Sequence, residues 1–285
     1  MPVEIIDGKK VAAEIRSEVK AEISTLSKKP GLATVLVGED PASEIYVKSK
    51  IKACEEVGIY SEHYQLDANI PETELLSTLK KLNEKDKING ILVQLPLPPH
   101  INSDTVINAI SPEKDVDCFH PINLGKFFTK KTWKEMEELT FLPCTPAGVI
   151  ELFKRYSISL QGKKLVILGR SNIVGKPLGM MCLANNATVC YCHSRTVDLP
   201  KVTSQADIVV AAIGKGRYVT KDFVKDGAVV VDVGMNRTNT GLAGDVDFEN
   251  IKKKASYITP VPGGVGPMTI AMLMKNTLRS VLALK

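Results

Sequence analysis

Short apolar runs alternate with longer amphipathic stretches along most of the chain. The apolar runs predict buried strands at 32–37, 91–95, 165–168, 187–192, 208–213 and 228–233, and the alternating segment 60–66 predicts one more. Between them, apolar residues recur at helical spacing, which is typical of crossover helices. The pattern predicts an α/β fold with mostly parallel sheets and right-handed crossovers.

Residues that begin and end helices bound the amphipathic stretches of the first half. Asp7 is a predicted N-cap for the first helix, and Pro41 opens a second helix that closes at Gly58. A third helix begins at Pro71. The predicted buried faces are Val11, Ala12, Ile15, Val19, Ile23 and Leu26 in the first helix, and Leu75, Leu76, Leu79 and Leu82 in the third.

The middle of the chain predicts a boundary between two domains. The 285 residues are enough for two domains, each with its own core. Residues 111–123 predict a loop, and 127–141, which hold the only tryptophan, predict a solvated excursion or a short helix. A new helix is predicted with Thr145 as its cap and Pro146 at its first position, so we place the boundary close to it.

The stretch from Leu165 to Pro177 has the pattern of a phosphate-binding loop. An apolar strand ends at Gly169, a polar loop runs to Gly175, and Pro177 lies near the start of the next helix. Glycines let the backbone approach an anion, and a helix N-terminus offers N–H groups and a positive dipole end. The motif lacks the middle glycine of G-x-G-x-x-G, so a glycine turn without a ligand is the alternative.

Composition narrows the class of protein. The formal charge of +5 is small, and no basic block interleaves with aromatic residues, which argues against nucleic-acid binding. An anionic small ligand suits this charge. No apolar segment is long enough to span a bilayer, and the first residues do not read as a signal peptide. We therefore expect a cytoplasmic enzyme without a membrane partner.

The six cysteines form no C-x-x-C pair that would predict a zinc site. Cys190 and Cys192, followed by His193, superficially suggest a metal site. They lie in an apolar run and point to one face of a strand, so we interpret them as reduced core cysteines and predict no metal.

Three features of the first half could carry chemistry. Tyr46 and Lys50 lie four residues apart on one helix face, where a solvated surface is the ordinary interpretation. Gln94 ends a buried strand, where an unpaired amide is costly. The Lys114–Asp117 run follows a proline-broken segment. Near the C-terminus, the glycines and prolines of 259–267 indicate a backbone that approaches a ligand, with a plain linker as the alternative.

Together these segments resemble the methylenetetrahydrofolate dehydrogenase/methenyltetrahydrofolate cyclohydrolase family. The matching stretches are 46–50, 93–98, 112–117, 143–148, 169–177, 193–196 and 260–272. The resemblance implies oxidation of 5,10-methylenetetrahydrofolate by NADP to the methenyl compound, followed by hydrolysis to 10-formyltetrahydrofolate. The chain also lacks G-x-x-x-x-G-K-[ST], so no fused formate–tetrahydrofolate ligase is expected.

The resemblance implies a role for each residue of the folate site. Lys50 is the expected catalytic lysine, Gln94 its hydrogen-bond partner, Tyr46 a ring that stacks on the folate, and Asp117 the carboxylate that holds the pterin. Further expected contacts to the substrate come from Val93, Leu95, Pro262, Gly263, Gly264, Val265 and Gly266.

The cofactor preference follows from the end of the strand at Cys192. An NAD site usually has an acidic residue there, whereas this chain continues His193-Ser194-Arg195-Thr196. A hydroxyl and arginines suit a 2′-phosphate, so we expect NADP. The expected cofactor residues are Thr145, Gly169, Arg170, Ser171, Val174, Gly175, His193, Ser194, Arg195, Ala212, Ile213, Gly214, Gly234 and Met235.

The resemblance also implies the architecture. We expect an α/β fold with a folate domain (1–141), a Rossmann-like doubly wound domain (142–266), a cleft between them, and a final helix (267–285) packed on the first domain. A homodimer through the nucleotide domain is implied as well. Cys118 stands where the family usually has glycine, and the segment 127–142 is longer than usual.

Two other functions remain as alternatives at this point. One is a dehydrogenase-only relative, which would lack Lys50, and the other is a non-catalytic NADP-binding protein, which would lack Lys50, Gln94 or Asp117. A short-chain dehydrogenase is disfavoured, because its Tyr-x-x-x-Lys follows the nucleotide loop, whereas Tyr46 precedes Gly169.

Overall fold

The computed structural model describes residues 3–238 and 241–283. Contacts between Cα atoms divide the chain into two compact units. The six-stranded unit contains the residues up to Ala12, Lys130–Met136 and Thr145–Thr269. The three-stranded unit contains Ala13–Thr129, Glu137–Cys144 and the chain from Ile270 onward. Residues 3–12 thus group with the six-stranded unit, although the predicted boundary assigned them to the first domain.

Helices and strands alternate through both units. The helices are α1 (Gly8–Ser24), α2 (Pro41–Val57), α3 (Glu72–Glu84), α4 (Ser103–Ala109), α5 (Pro121–Phe128), α6 (Trp133–Glu137), α7 (Cys144–Arg155), α8 (Gly175–Ala184), α9 (Leu199–Thr203), α10 (Phe248–Ile251) and α11 (Val265–Leu282). The strands are β1 (Glu4–Ile5), β2 (Gly31–Val37), β3 (Tyr60–Leu66), β4 (Gly90–Val93), β5 (Lys164–Leu168), β6 (Thr188–Cys192), β7 (Ile208–Ala211), β8 (Val229–Asp232), β9 (Asn236–Thr238), β10 (Gly241–Ala243) and β11 (Tyr257–Ile258).

The three-stranded unit has a parallel sheet in the order β3-β2-β4. Every residue of β2 and β4 is buried, as expected of strands covered on both faces. Helix α2 has the predicted boundaries, because the Asp40 carboxylate accepts from the Ser43 N–H and Gly58 adopts a positive φ at the other end. Helix α3 buries Leu75, Leu79 and Leu82.

The six-stranded unit has a parallel sheet in the order β1-β11-β8-β7-β5-β6. The chain passes from β5 to β6 on one side and then to β7 on the other side of β5. The carboxyl ends of β5 and β7 therefore form a topological switch point, where doubly wound sheets bind ligands. Cys192 is fully buried in this core and Cys190 packs against it, which confirms them as core cysteines.

The middle of the chain differs from the prediction. Residues 111–123 are not all loop, since α5 begins at Pro121 and His120 Nδ1 accepts from the Ile122 N–H. Helix α4 was not predicted. The expected short helix within 127–141 is α6, but the segment is not merely solvated, because Phe127 and Met136 are fully buried.

Three local predictions near helix and strand ends were also wrong. Strand β4 stops at Val93, so Gln94 follows it instead of belonging to it. Helix α7 begins at Cys144, so Thr145 lies inside its first turn and does not cap it. Leu26 lies beyond the end of α1 and is only partly buried. Within residues 3–238 and 241–283, no helix has both the length and the apolar character needed to cross a bilayer.

Candidate active site

A buried lysine–glutamine pair forms the centre of the candidate folate site in the three-stranded unit. Lys50, on α2, is 6% exposed, and its Nζ donates to Gln94 Oε1 at 2.9 Å. The Gln94 side-chain Nε2 donates to the Leu95 carbonyl at 2.8 Å, and the Gln94 backbone N–H donates to the Val35 carbonyl. Both ends of the amide are therefore fixed, and its oxygen faces the lysine.

The charge of Lys50 depends on burial and on Asp117. Burial lowers the pKa of the Lys50 ammonium, because an apolar environment disfavours the charged form, whereas the nearby Asp117 carboxylate raises it. Burial raises the pKa of Asp117, and the charge of Lys50 opposes that shift. The structure thus brings Lys50, Gln94 and Asp117 together, as the sequence predicts.

The loop that carries Asp117 is held from two directions. The Asp115 carboxylate accepts from the backbone N–H groups of Phe119 and His120 and from Asn123 Nδ2, all within 3.1 Å. Burial raises the pKa of Asp115 to about 6, against those three hydrogen bonds. On the other side, Asn276 Nδ2 donates to the Val116 carbonyl at 2.8 Å. Sequence reasoning missed Asn276.

Cys118 adopts the backbone conformation that its family position suggested. Its φ is 61°, in the left-handed region that favours glycine, and its side chain is fully buried. The loop keeps this conformation without a glycine, and Asp117 retains its place beside Lys50. The concern that Cys118 would displace Asp117 is therefore resolved in favour of the predicted site.

Tyr46 lies one helical turn before Lys50 on α2 and is half-buried. Burial raises the pKa of its phenol. Val93 is buried at the end of β4, and Leu95 is half-buried just beyond it. These positions agree with side chains grouped along one strand end and one helix.

The Pro262–Gly266 segment belongs to the six-stranded unit and packs closely against the start of α1. The Lys9 N–H donates to the Gly263 carbonyl at 3.0 Å, and a Cβ at Gly8 would overlap the Gly264 carbonyl. Gly263 has a φ of 110°, and a Cβ at Gly264 would lie 2.6 Å from the Pro260 carbonyl oxygen. The segment is a tightly packed backbone turn, not a loose linker.

A cavity of about 290 Å³ lies at the switch point of the six-stranded sheet. Its lining includes seven predicted cofactor residues, namely Gly169, Arg170, Ser171, His193, Ser194, Ala212 and Ile213. Lys215 and Tyr218 also line it, and sequence reasoning missed both. Thr145, Val174, Gly175, Arg195, Gly214, Gly234 and Met235 are not part of this lining.

The residues of the cavity fit NADP. Gly169 has a φ of 125°, and a Cβ there would overlap the Ala212 carbonyl, so the strand end leaves no room for a side chain. Beyond β6, the His193 N–H donates to Thr196 Oγ1 and the Arg195 N–H donates to His193 Nδ1. This turn exposes Ser194 and Arg195, and Arg170 is exposed beside it, with no carboxylate in the turn. A hydroxyl and guanidinium groups suit a 2′-phosphate.

Two details of the nucleotide site differ from the prediction. The N–H groups of Val174 and Gly175 lie 3.2 and 3.3 Å from Ser171 Oγ, and the Lys176 N–H donates to the Ser171 carbonyl. The start of α8 therefore offers fewer free N–H groups than expected. Thr145 does not cap α7, because its hydroxyl pairs with that of Thr269 at 2.9 Å.

Comparison with known proteins agrees with both sites. Residues 6–117 match the catalytic domain of the tetrahydrofolate dehydrogenase/cyclohydrolase family, and residues 143–284 match its NAD(P)-binding domain. The Bifunctional protein FolD of Moorella thermoacetica is 56% identical over 284 residues, which cover 98% of this chain and 99% of that protein.

Solved structures show the same relationship. The bifunctional enzyme FolD from Campylobacter jejuni is 50% identical, with a TM-score of 0.94 over 99% of this chain and 100% of that one. The Trypanosoma brucei methylenetetrahydrofolate dehydrogenase-cyclohydrolase, solved with NADP cofactor and an inhibitor, is 37% identical, with a TM-score of 0.94 over 100% and 99% of the two chains. The chain belongs to the tetrahydrofolate dehydrogenase/cyclohydrolase family.

Proposed function

We propose that this chain oxidises 5,10-methylenetetrahydrofolate to 5,10-methenyltetrahydrofolate with NADP and then hydrolyses the product to 10-formyltetrahydrofolate, with Lys50 as the proton-transfer group of the hydrolysis. The observation that carries the proposal is the buried Lys50–Gln94 pair beside Asp117. A non-catalytic nucleotide-binding protein has no need of a lysine whose charged form is disfavoured by burial.

Lys50 suits the hydrolysis because its lowered pKa increases the neutral fraction of its amine near neutral pH. Water adds to the methenyl carbon, the neutral amine takes a proton from that water, and a C–N bond of the ring then breaks to leave the formyl group. Gln94 accepts a hydrogen bond from Lys50 and keeps its Nζ at one position throughout. The net reaction consumes one water and releases one proton.

The oxidation requires positioning more than acid–base catalysis. NADP, when bound, accepts the hydride, and the nitrogen lone pair beside the methylene carbon stabilises the cation that forms. The residues of this chain orient the two rings. Tyr46 supplies a flat surface for the pterin, Asp117 accepts from pterin N–H groups, and Pro262–Gly266 approach the folate through their backbone.

The same proposal assigns the cofactor and the parts of the chain. Gly169, Ser171 and Ala212–Gly214 hold the nucleotide, Arg170, Ser194 and Arg195 bind the 2′-phosphate, and Met235 meets the nicotinamide end. Thr145, Val174, Gly175, His193 and Gly234 complete the set of cofactor residues. The folate domain is 1–141 with the final helix 267–285, and the NADP domain is 142–266.

We also infer a cytoplasmic homodimer formed through the NADP domain. The six cysteines are all free thiols, which suits a reducing compartment. Strand β6 lies at one edge of its sheet. Leu183, on α8, is 54% exposed and shares a helix face with Gly179, where the Tyr191 ring lies. This edge supports an interface between two copies.

The test compares Lys50→Met with the wild-type enzyme. Methionine keeps the apolar stem and removes the amine, so we expect the decay of added methenyl compound to slow by about 10²-fold or more while NADP binding is unchanged. The measurements are absorbance of the methenyl compound and titration with NADP. Lys48→Met is the matched control, because Lys48 is an exposed residue of the same helix that pairs with Glu44.

The outcomes separate the alternatives. Reduced cofactor that forms while the methenyl compound persists in the wild-type assay would identify a dehydrogenase-only enzyme. No reaction with either NADP or NAD would favour a non-catalytic protein. Normal hydrolysis by Lys50→Met would refute the role given to Lys50.

A further inference from the structure

A buried carboxylate beneath the nucleotide cavity contacts the loop that lines it. Asp245 is fully buried, and its Oδ2 accepts from the backbone N–H groups of Ile213 at 2.7 Å and Gly214 at 3.0 Å. Its Oδ1 accepts from the Lys215 N–H at 2.8 Å and from Asn236 Nδ2 at 2.9 Å. Two carboxylate oxygens can accept about four hydrogen bonds, so this side chain is saturated.

Asp245 is itself held by a second buried carboxylate. Asp232, the last residue of β8, accepts from the backbone N–H groups of Gly234, Asp245 and Val246, each at 2.9 Å. Burial raises the pKa of Asp232 to about 6, so at pH 7.5 most of the group is still ionised and available as an acceptor. The two aspartates therefore connect the ends of β7 and β8.

Two glycines make room for these carboxyl groups. A Cβ at Gly234 would overlap the carboxyl group of Asp245, and a Cβ at Gly244 would overlap that of Asp232. The arrangement thus includes two side chains and the two backbone positions that admit them. Asp245 does not line the cavity, whereas Ile213 and Lys215, whose N–H groups it binds, do.

We propose that Asp245 is a positioning residue for the cofactor, whose carboxylate fixes the backbone of 213–215 in the shape that receives NADP. Three consecutive N–H groups that point to one carboxylate determine the path of the chain after β7. Without that acceptor the N–H groups would turn towards water or another acceptor, and the wall of the cavity would change shape. This inference rests on the proposed NADP-dependent function.

The two activities of the enzyme provide an internal control. Hydrolysis of the methenyl compound uses Lys50 and needs no nucleotide, so a change confined to the cofactor loop affects only the oxidation. In Asp245→Asn an amide nitrogen must face N–H donors on one side, donor against donor. We expect the Kd and KM for NADP to rise at least tenfold, with the hydrolysis rate within twofold of wild type.

Asp247→Asn is the matched control. Asp247 is two residues further on, and its carboxylate accepts from Asn250 Nδ2. We expect this variant to bind NADP as the wild type does. Wild-type protein that fails to bind NADP would refute the proposed function, whereas normal binding by Asp245→Asn would refute only the role of Asp245. Equal losses of both activities would indicate a general structural role and would also overturn the proposal.

Amide hydrogen exchange of the wild-type enzyme tests the same idea without a variant. If Asp245 holds the loop, the N–H groups of Ile213, Gly214 and Lys215 exchange slowly before any cofactor is added. Slow exchange without NADP is the expected result. Fast exchange that becomes slow only on addition of NADP would mean that the cofactor orders the loop, and would overturn the proposal.

Discussion

Cys118 shows how a single residue can carry backbone strain beside a functional group. It directly follows Asp117 and has a φ of 61°, where a side chain costs roughly 1–2 kcal/mol relative to glycine. Its thiol is fully buried, and Sγ lies 3.6 Å from the Phe141 carbonyl, so burial of the side chain offsets the strain. The two contributions can be separated by removing the thiol with and without the Cβ.

We expect Cys118→Gly to be more stable than Cys118→Ala by about 1 kcal/mol in free energy of unfolding. Both variants lose the thiol, but only alanine keeps a Cβ at positive φ. Cys182 provides the control, because it is fully buried within α8, where alanine should exceed glycine by about 1 kcal/mol. Chemical denaturation measures all four variants. The same order of stability at both positions would contradict the strain at Cys118.

At the scale of elements, the C-terminal part of α11 supports the loop that carries Asp117. Asn276 is 1% exposed, and its Nδ2 donates to the Val116 carbonyl at 2.8 Å and the Leu142 carbonyl at 2.7 Å. One amide thus joins a helix to two separate loops of the three-stranded unit. Without it, two buried carbonyl groups lose a donor, and each unsatisfied group costs about 1–3 kcal/mol.

We expect Asn276→Leu to lower the free energy of unfolding by about 2–4 kcal/mol, because leucine is similar in size but cannot donate. The KM for folate should also rise, because Val116 precedes Asp117. Denaturation and steady-state kinetics of the hydrolysis are the measurements. Thr277→Val is the control, since the Thr277 hydroxyl donates within α11 to Leu273. An unchanged KM in Asn276→Leu would mean that the loop holds Asp117 without the helix.

The elements also show what can be predicted from sequence. Strands β2, β5 and β8 were found because apolar runs report burial directly, and α2 because Asp40, Pro41 and Gly58 each act locally. Lys50, Gln94 and Asp117 were found through the family resemblance. Asp245 was not, because its partners are backbone N–H groups of distant loops. Helix α5 was missed because the His120 cap is a less common N-terminal signal than Ser, Thr, Asp or Asn.

At the scale of the whole molecule, the proposed dimer depends on the face beside β6. In a twofold interface each contact occurs twice, once from each copy. Leu183 on α8 and the Tyr191 ring over Gly179 form an exposed apolar patch next to the open edge of the sheet. Burial of one leucine side chain contributes about 1.5 kcal/mol or more. Loss of both copies of Leu183 would therefore cost about 3 kcal/mol of association energy.

We expect Leu183→Glu to raise the dimer dissociation constant by about a hundredfold, which is the affinity change that corresponds to about 3 kcal/mol. Sedimentation equilibrium over a range of protein concentrations measures it. Ile122→Glu is the control, because Ile122 is 52% exposed on α5 in the three-stranded unit, away from the proposed interface in sequence and in fold. If both variants dimerise as the wild type does, the interface lies elsewhere on the molecule. If Leu183→Glu is monomeric yet hydrolyses the methenyl compound at the normal rate, the folate site is complete within one chain, because every group proposed for the hydrolysis comes from the same copy.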